Sequence, residues 1–180
     1  MSEVPSQLHT ERLILRRPRV TDAEAIFCGW ANNPVATRCM SWPRHQSLAA
    51  TIDFLRFSES EWASWPAGPI VIELRDTGQL IGSTGFGFRN TTEAEVGYIL
   101  DVDFWGFGYA TEALGTVVEL APRLGLDRLT ASIHPANTAS ARVLEKCGFA
   151  LERQMSSVVT FPNLPPGETV EALPYSRVVG

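Results

Sequence analysis

Trp105-Gly-Phe-Gly-Tyr-Ala-Thr-Glu-Ala, residues 105–113, decides how this sequence is read. It follows a β-rich run, Ala94 to Leu100, and opens a run with apolar residues at helical spacing: Ala110, Ala113, Leu114, Val117, Val118, Ala121 and Leu124. Glycines between a strand and a helix let the backbone approach a ligand closely. The unpaired N–H groups of the first helical turn, with the helix dipole, then favour an anion. A lone Gly-x-Gly is equally a tight turn, so context must sort the alternatives. A P-loop would continue Gly-Lys-Ser/Thr, whereas the single lysine of the chain is Lys146. A dinucleotide fingerprint would place a glycine at Thr111 and an acidic residue after the next strand, whereas Asp127 precedes that strand. Both are excluded.

Working outward, Leu13 to Arg17 reads as a first strand ended by Pro18. Thr21 and Glu24 then have capping-box spacing, and a helix is expected to about Asn32 with Ala25, Ile26, Gly29 and Trp30 inward. A second helix is expected from Ser47 to Trp62, with Leu48, Ile52, Leu55 and Trp62 inward. Pro69–Leu74, Leu80–Phe88 and Ala94–Leu100 read as an antiparallel meander with a turn at Asp76-Thr-Gly78. The helix opened by Tyr109 should kink at Pro122. Leu129–Ile133 is a strand, and Asn137–Cys147 a helix stopped by Gly148 as a left-handed cap. Strand returns at Phe149 and again at Tyr175, while 161–167 reads as a loop. No repeat or interdomain linker interrupts residues 1–180, so a single domain is expected.

The 180 residues are 44% hydrophobic and 19% charged, which suits a chain that buries a core without staples. A net charge of −5 argues against nucleic acid as a partner. No apolar run approaches a membrane span, so no membrane partner is expected. Three cysteines without a CxxC, and a start without a basic-then-apolar leader, point to the cytoplasm. No metal-ligand spacing links His9, His45 and the cysteines, so no metal is expected. Between Arg89 and Arg123 no basic residue occurs, yet Glu93, Glu95, Asp101, Asp103, Glu112 and Glu119 do. That field would attract a cationic substrate, although each carboxylate also reads as part of a solvated face.

Residues 105–113 resemble motif A of the GNAT N-acetyltransferases, Gln/Arg-x-x-Gly-x-Gly/Ala, with Trp105 in first place and Gly108 and Ala110 in the last two. Asn137-Thr-Ala-Ser-Ala-Arg-Val-Leu-Glu-Lys-Cys-Gly-Phe resembles motif B of that superfamily. Thr10-Glu-Arg-Leu-Ile-Leu-Arg, Glu95-Val-Gly-Tyr and Phe161-Pro-Asn are similar to the ribosomal-protein (RimJ/RimL) branch, so the similarity runs from Thr10 to near Val178. The resemblance implies an α/β fold with a mixed, largely antiparallel sheet, flanked by helices and splayed between the Glu95 and Leu129 strands. Acetyl-CoA would be the co-substrate, its pantetheine entering the wedge and its pyrophosphate meeting the backbone N–H groups of Phe107, Gly108, Tyr109 and Ala110. Asn137 would contact the cofactor near its pantetheine, and it equally suits a helix N-cap.

The chain departs from the family pattern in two places. Phe107 stands where the branch often carries a basic residue, which leaves pyrophosphate recognition to the backbone. Leu144 stands where many GNAT enzymes carry the tyrosine that protonates the departing thiolate, so Ser140 is the substitute acid. Attack on a thioester needs a neutral amine: an α-amine (pKa about 7.7–8.0) needs little help, a lysine (about 10.4) much more. Glu95 is the candidate base, with a purely cation-binding or surface role as the alternative. A backbone N–H at Ile99 or Leu100 would meet the oxyanion. His134 is a further base or relay candidate, Glu112 suits the helix start, and Trp42 is the expected acceptor-wall residue among Trp30, Trp42, Trp62 and Trp65. The resulting expectation is direct acetyl transfer to a protein N-terminal α-amine or a small cationic amine. A CoA-binding sensor without turnover is the alternative, and a homodimer is left open.

Overall fold

A computed structural model describes residues 5–153, 157–165 and 169–180. The strands form one mixed sheet in the order β1-β2-β3-β4-β5-β6-β9-β7, with β8 paired to β9. The strands are β1 (Gln7–His9), β2 (Leu13–Arg16), β3 (Pro69–Leu74), β4 (Leu80–Phe88), β5 (Glu93–Leu100), β6 (Arg128–Ile133), β7 (Ala150–Leu151), β8 (Ser157–Thr160) and β9 (Thr169–Val178). The expected meander is β3-β4-β5, antiparallel throughout. Among the described residues only β5 and β6 run parallel, and their ladder covers Glu93–Glu95 against Arg128–Thr130 and then stops. Beyond it the two strands continue unpaired to each other, to Leu100 and Ile133. That is the splay.

Side-chain alternation along β5 sorts the two faces. Ala94, Val96, Tyr98 and Leu100 join the core under α3 (Tyr109–Leu120) and α4 (Thr138–Lys146). Glu95, Gly97 and Ile99 face the other way, where Ile99 packs with Ile26, Trp30, Leu55 and Val71 beneath α1 (Ala23–Ile26) and α2 (Leu48–Ser64). The α3 stripe is fully buried at Ala113, Leu114 and Val117. Truncating Leu114 to Ala there would cost about 2–5 kcal/mol.

Several local expectations need correction. A short strand, β1, precedes the expected first one and pairs with it from His9↔Ile14 to Gln7↔Arg16. Thr21 and Glu24 are not the helix cap: Asp22 accepts the Arg19 N–H at 2.7 Å, and its carboxylate is held by Arg16 at 2.8 and 3.0 Å. Arg16 and Asp22 are 8% and 7% exposed, and Glu73 completes the group at 2.9 Å, so a buried ionic need overrides the local capping signal. The segment is a 3₁₀ turn, one α turn and a π turn over Val20–Ala31, with Ala25 exposed. Leu48 is also exposed. The α ladder of α3 ends at Leu120 and tightens into a 3₁₀ turn over Ala121–Leu124, because Pro122 has no N–H to continue it. Gly148 ends α4 at φ +77°, as expected of a left-handed cap.

Candidate active site

The loop 105–108 leaves β5 through a 3₁₀ turn at Val102–Phe104 and delivers Gly108 to the start of α3. Trp105 donates from its indole Nε1 to the Leu100 carbonyl at 3.1 Å, tying the loop back to the strand end. Gly108 sits at φ +83°, a conformation that costs other residues free energy, and the first N–H groups of α3 that follow it precede the helix's own hydrogen-bond ladder. Phe107 is 60% exposed on the loop.

Behind the loop lies a group that no local pattern foretold. Arg12 donates to the Phe107 carbonyl at 2.9 Å, stacks its guanidinium 4.5 Å from the Tyr109 ring centroid, and pairs with Glu112 at 2.6 and 2.7 Å. Thr10 Oγ1 and the Arg12 N–H donate to the other Glu112 oxygen at 2.5 and 3.0 Å. Burial pushes the Glu112 carboxyl up. The Thr10 and Arg12 hydrogen bonds and the Arg12 charge outweigh it and hold the carboxyl below its ordinary value. Because a peptide's C=O and N–H point in opposite directions, a grip on the Phe107 carbonyl from behind directs the Gly108 N–H forward. The basic residue absent at Phe107 is thus met by one 95 positions upstream, as a buttress to the loop rather than a replacement in it.

At the splay, Glu95 occupies the last paired position, opposite Thr130. It is half exposed on the α1/α2 face, and its Oε2 accepts from Arg89 at 2.9 Å. Its neighbours on that face are Gly97 along the strand and Gly87 across it, which leave the floor beside the carboxylate open. The Asp101 N–H donates to Ile81 and the Arg89 N–H to the Glu93 carbonyl, so odd-numbered residues of β5 make the ladder with β4. The Ile99 N–H is therefore used by β4, while those of Tyr98 and Leu100 point into the splay. Of the two oxyanion candidates, Leu100 has the free direction.

Across the splay, Asn137 caps α4 by accepting the Ser140 N–H at 3.1 Å. Ser140 Oγ lies 2.7 Å from Tyr98 Oη. His134 Nδ1 accepts the Ala136 N–H at 3.1 Å, which puts the proton of the neutral ring on Nε2. That nitrogen is buried with no partner among the described residues, and the ring meets Phe161 edge-on at 5.0 Å. The reading of His134 as a base fails in this tautomer, because the nitrogen left over is a donor.

On the α1/α2 face, Trp42 lies 5.4 Å from the His45 ring, and His45 Nδ1 is 2.9 Å from Thr51 Oγ1. Burial pushes the His45 imidazole down, so it stays neutral near pH 7. Asn163 clamps this wall from the far end of the chain: it accepts the Arg44 N–H at 2.7 Å and donates to the Thr37 and Trp42 carbonyls at 2.8 and 2.9 Å. Trp30 is core, Trp62 bonds the Pro69 carbonyl, and Trp65 stacks on Phe88. A 540 Å³ depression bordered by Arg16, Asp22, Cys28 and Asp101 holds none of these site groups. Among the described residues no cluster of His, Cys, Asp and Glu could hold a metal, and no helix is long and apolar enough to cross a membrane.

Residues 12–150 match the model of the acetyltransferase (GNAT) domain family. Over 153 residues, covering 81% of this chain and 83% of the relative, the chain is 36% identical to YoaA, an uncharacterized N-acetyltransferase of Bacillus subtilis. Its fold superposes with a TM-score of 0.82 on a microcin self-immunity acetyltransferase solved with acetyl-CoA and AMP, at 22% identity over 99% of both chains. It superposes with a TM-score of 0.80 on the ribosomal-protein α-N-acetyltransferase RimL solved with CoA, at 20% identity over 94% of this chain and 96% of that one. A splayed mixed sheet, a glycine turn opening α3 and these matches lead to one conclusion: the chain belongs to the GNAT family of acetyl-CoA-dependent N-acetyltransferases.

Proposed function

We propose that the protein acetylates α-amino groups, the N-terminus of a peptide or protein, by direct attack on acetyl-CoA in a ternary complex. The observation that carries the acceptor class is the Glu95–Arg89 pair at the splay vertex. A solvent-reached carboxylate is a weak base at neutral pH, and it suits an amine with an appreciable neutral fraction there. An α-amine meets that condition; a lysine or a polyamine does not. Arg89, more than half exposed beside Glu95, also repels an acceptor carrying several positive charges. The small cationic amine is therefore the less favoured acceptor.

Each residue then has a role. The N–H groups of Phe107, Gly108, Tyr109 and Ala110 receive the pyrophosphate at the start of α3. Asn137 caps α4 through its carbonyl oxygen and offers its amide nitrogen to the pantetheine. Glu95 takes the proton of the attacking amine, directly or through one water. The Leu100 N–H stabilises the oxyanion, with Ile99 lining the same strand. Ser140 gives the departing sulfur its proton, and Trp42 walls the acceptor.

The test is acetyl-CoA-dependent thiol release with three matched acceptors: a lysine-free peptide with a free N-terminus, an N-terminally blocked peptide with one lysine, and spermidine. The expected result is release with the first alone, with the acetyl group on the α-nitrogen by mass spectrometry. Release with the lysine peptide or spermidine alone would overturn the acceptor class.

A further inference from the structure

Position 144, where many of the resembled GNAT enzymes carry a tyrosine, is a leucine 1% exposed and packed in the α3/α4 core. α4 therefore presents no phenol of its own at that place. One helical turn earlier on the same helix, a phenol arrives from a different element: Tyr98 of β5 reaches Ser140, with Oη 2.7 Å from Oγ and 3.2 Å from the Ser140 carbonyl oxygen. The contact bridges the splay, since β5 and β6 are unpaired beyond Glu95 and Thr130. The Tyr98 ring packs against the core under α3 and α4. Burial pushes its phenol up to about 12, against a smaller lowering by the Ser140 hydrogen bond, so Tyr98 keeps its proton at neutral pH. The phenol has one proton and two oxygens of Ser140 within reach, and the shorter contact, to Oγ, can carry it.

We infer that Tyr98 is a positioning residue for acetyl transfer: by donating to Ser140 Oγ across the splay, it turns the serine's own proton towards the sulfur of the cofactor. This rests on the role proposed for Ser140. In the step concerned, the tetrahedral intermediate collapses and the carbon–sulfur bond breaks. The electron pair goes to sulfur, and the Ser140 proton follows it to give free thiol. Oγ gathers negative charge as the proton leaves, and the Tyr98 hydrogen bond strengthens with that charge. Solvent returns a proton to Oγ, balancing the one that the attacking nitrogen passes out through Glu95.

The test is a double-mutant cycle on steady-state transfer to the lysine-free peptide. Tyr98→Phe keeps the ring and should lower kcat about tenfold, the effect of one hydrogen bond to a developing charge, with the acetyl-CoA KM within about twofold. In a Ser140→Ala background the same change should have no further effect. In a Ser140→Thr background, which keeps a hydroxyl, the tenfold loss should return. A purely structural tie would instead give equal losses in all backgrounds and a raised KM, and either that pattern or unchanged kcat in Tyr98→Phe overturns the inference alone. Absence of thiol release by the unmodified protein with every amine overturns the transferase reading, and this inference with it. Should Tyr98→Phe fold poorly, the Ser140→Ala and Ser140→Thr pair still decides: equal kcat in the two removes the hydroxyl, and therefore its positioner, from the step.

Discussion

The α3/α4 face and the α1/α2 face of the sheet are assembled by different means. On the α3/α4 face the features proposed to bind the cofactor come mainly from contiguous sequence: a loop with Gly108 at φ +83°, a helix opened by it, and a second helix capped by Asn137. On the α1/α2 face the wall is assembled from far-separated segments: Asn163 reaches Thr37 and Trp42 across 126 and 121 positions, and His45 is held against Thr51 of α2. The difference fits two demands. Phosphates are recognised by backbone N–H groups that any side chain could accompany, so main-chain geometry is the constraint. An acceptor is recognised by the shape and polarity of side chains, which can change without disturbing the loop.

Four measurements would break or sharpen that division. Replacing Gly108 with valine puts a β-branched residue at positive φ, a strain of about 1–3 kcal/mol that the loop relieves by turning its amides off the anion. The acetyl-CoA Kd should rise about a hundredfold by calorimetry, with the circular dichroism spectrum retained. Glu95→Gln should lower kcat about ten- to hundredfold in steady-state assays, while the acetyl-CoA Kd stays unchanged. Asn163→Ala removes three hydrogen bonds to the proposed acceptor wall, each contributing about 0.5–1.5 kcal/mol. It should raise the acceptor KM about fivefold and leave the acetyl-CoA Kd alone; a matching rise in both would erase the distinction between the faces. The smallest effect concerns the Arg12–Glu112 clasp. The Glu112 carboxyl is lowered in the folded protein, so its stabilisation is complete above the unfolded value of about 4.3 and is lost as pH falls through the lower folded value. Thermal melts from pH 5 downward should show that loss in the unmodified protein and a shallower one in Arg12→Gln.

The same division explains what could be read in advance. The strands of the meander and the α3 stripe carry their period in adjacent residues, and Leu114 and Val117 are buried as that period requires. The splay followed from motifs A and B in their order. Arg12 was missed as part of the loop because a guanidinium 95 positions away leaves no trace in local spacing. Tyr98 was hidden for the same reason: it lies within Glu95-Val-Gly-Tyr, and its contact with Ser140, 42 positions on, leaves no mark in that spacing. The cap at Asp22 was misassigned to Thr21 and Glu24, since the need to neutralise buried Arg16 outranks capping-box spacing. The wall around Trp42 could be guessed by residue type, but its clamp by Asn163 depends on a chain reversal that no window contains.

The crystal structure of the complex with CoA is the most direct measurement. The expected density places the pyrophosphate against the N–H groups of Phe107 to Ala110, the thiol within hydrogen-bond distance of Ser140 Oγ, and the Tyr98–Ser140 contact intact. A pyrophosphate bound away from Gly108, or a thiol remote from Ser140, would contradict the assignment of both halves of the cofactor site.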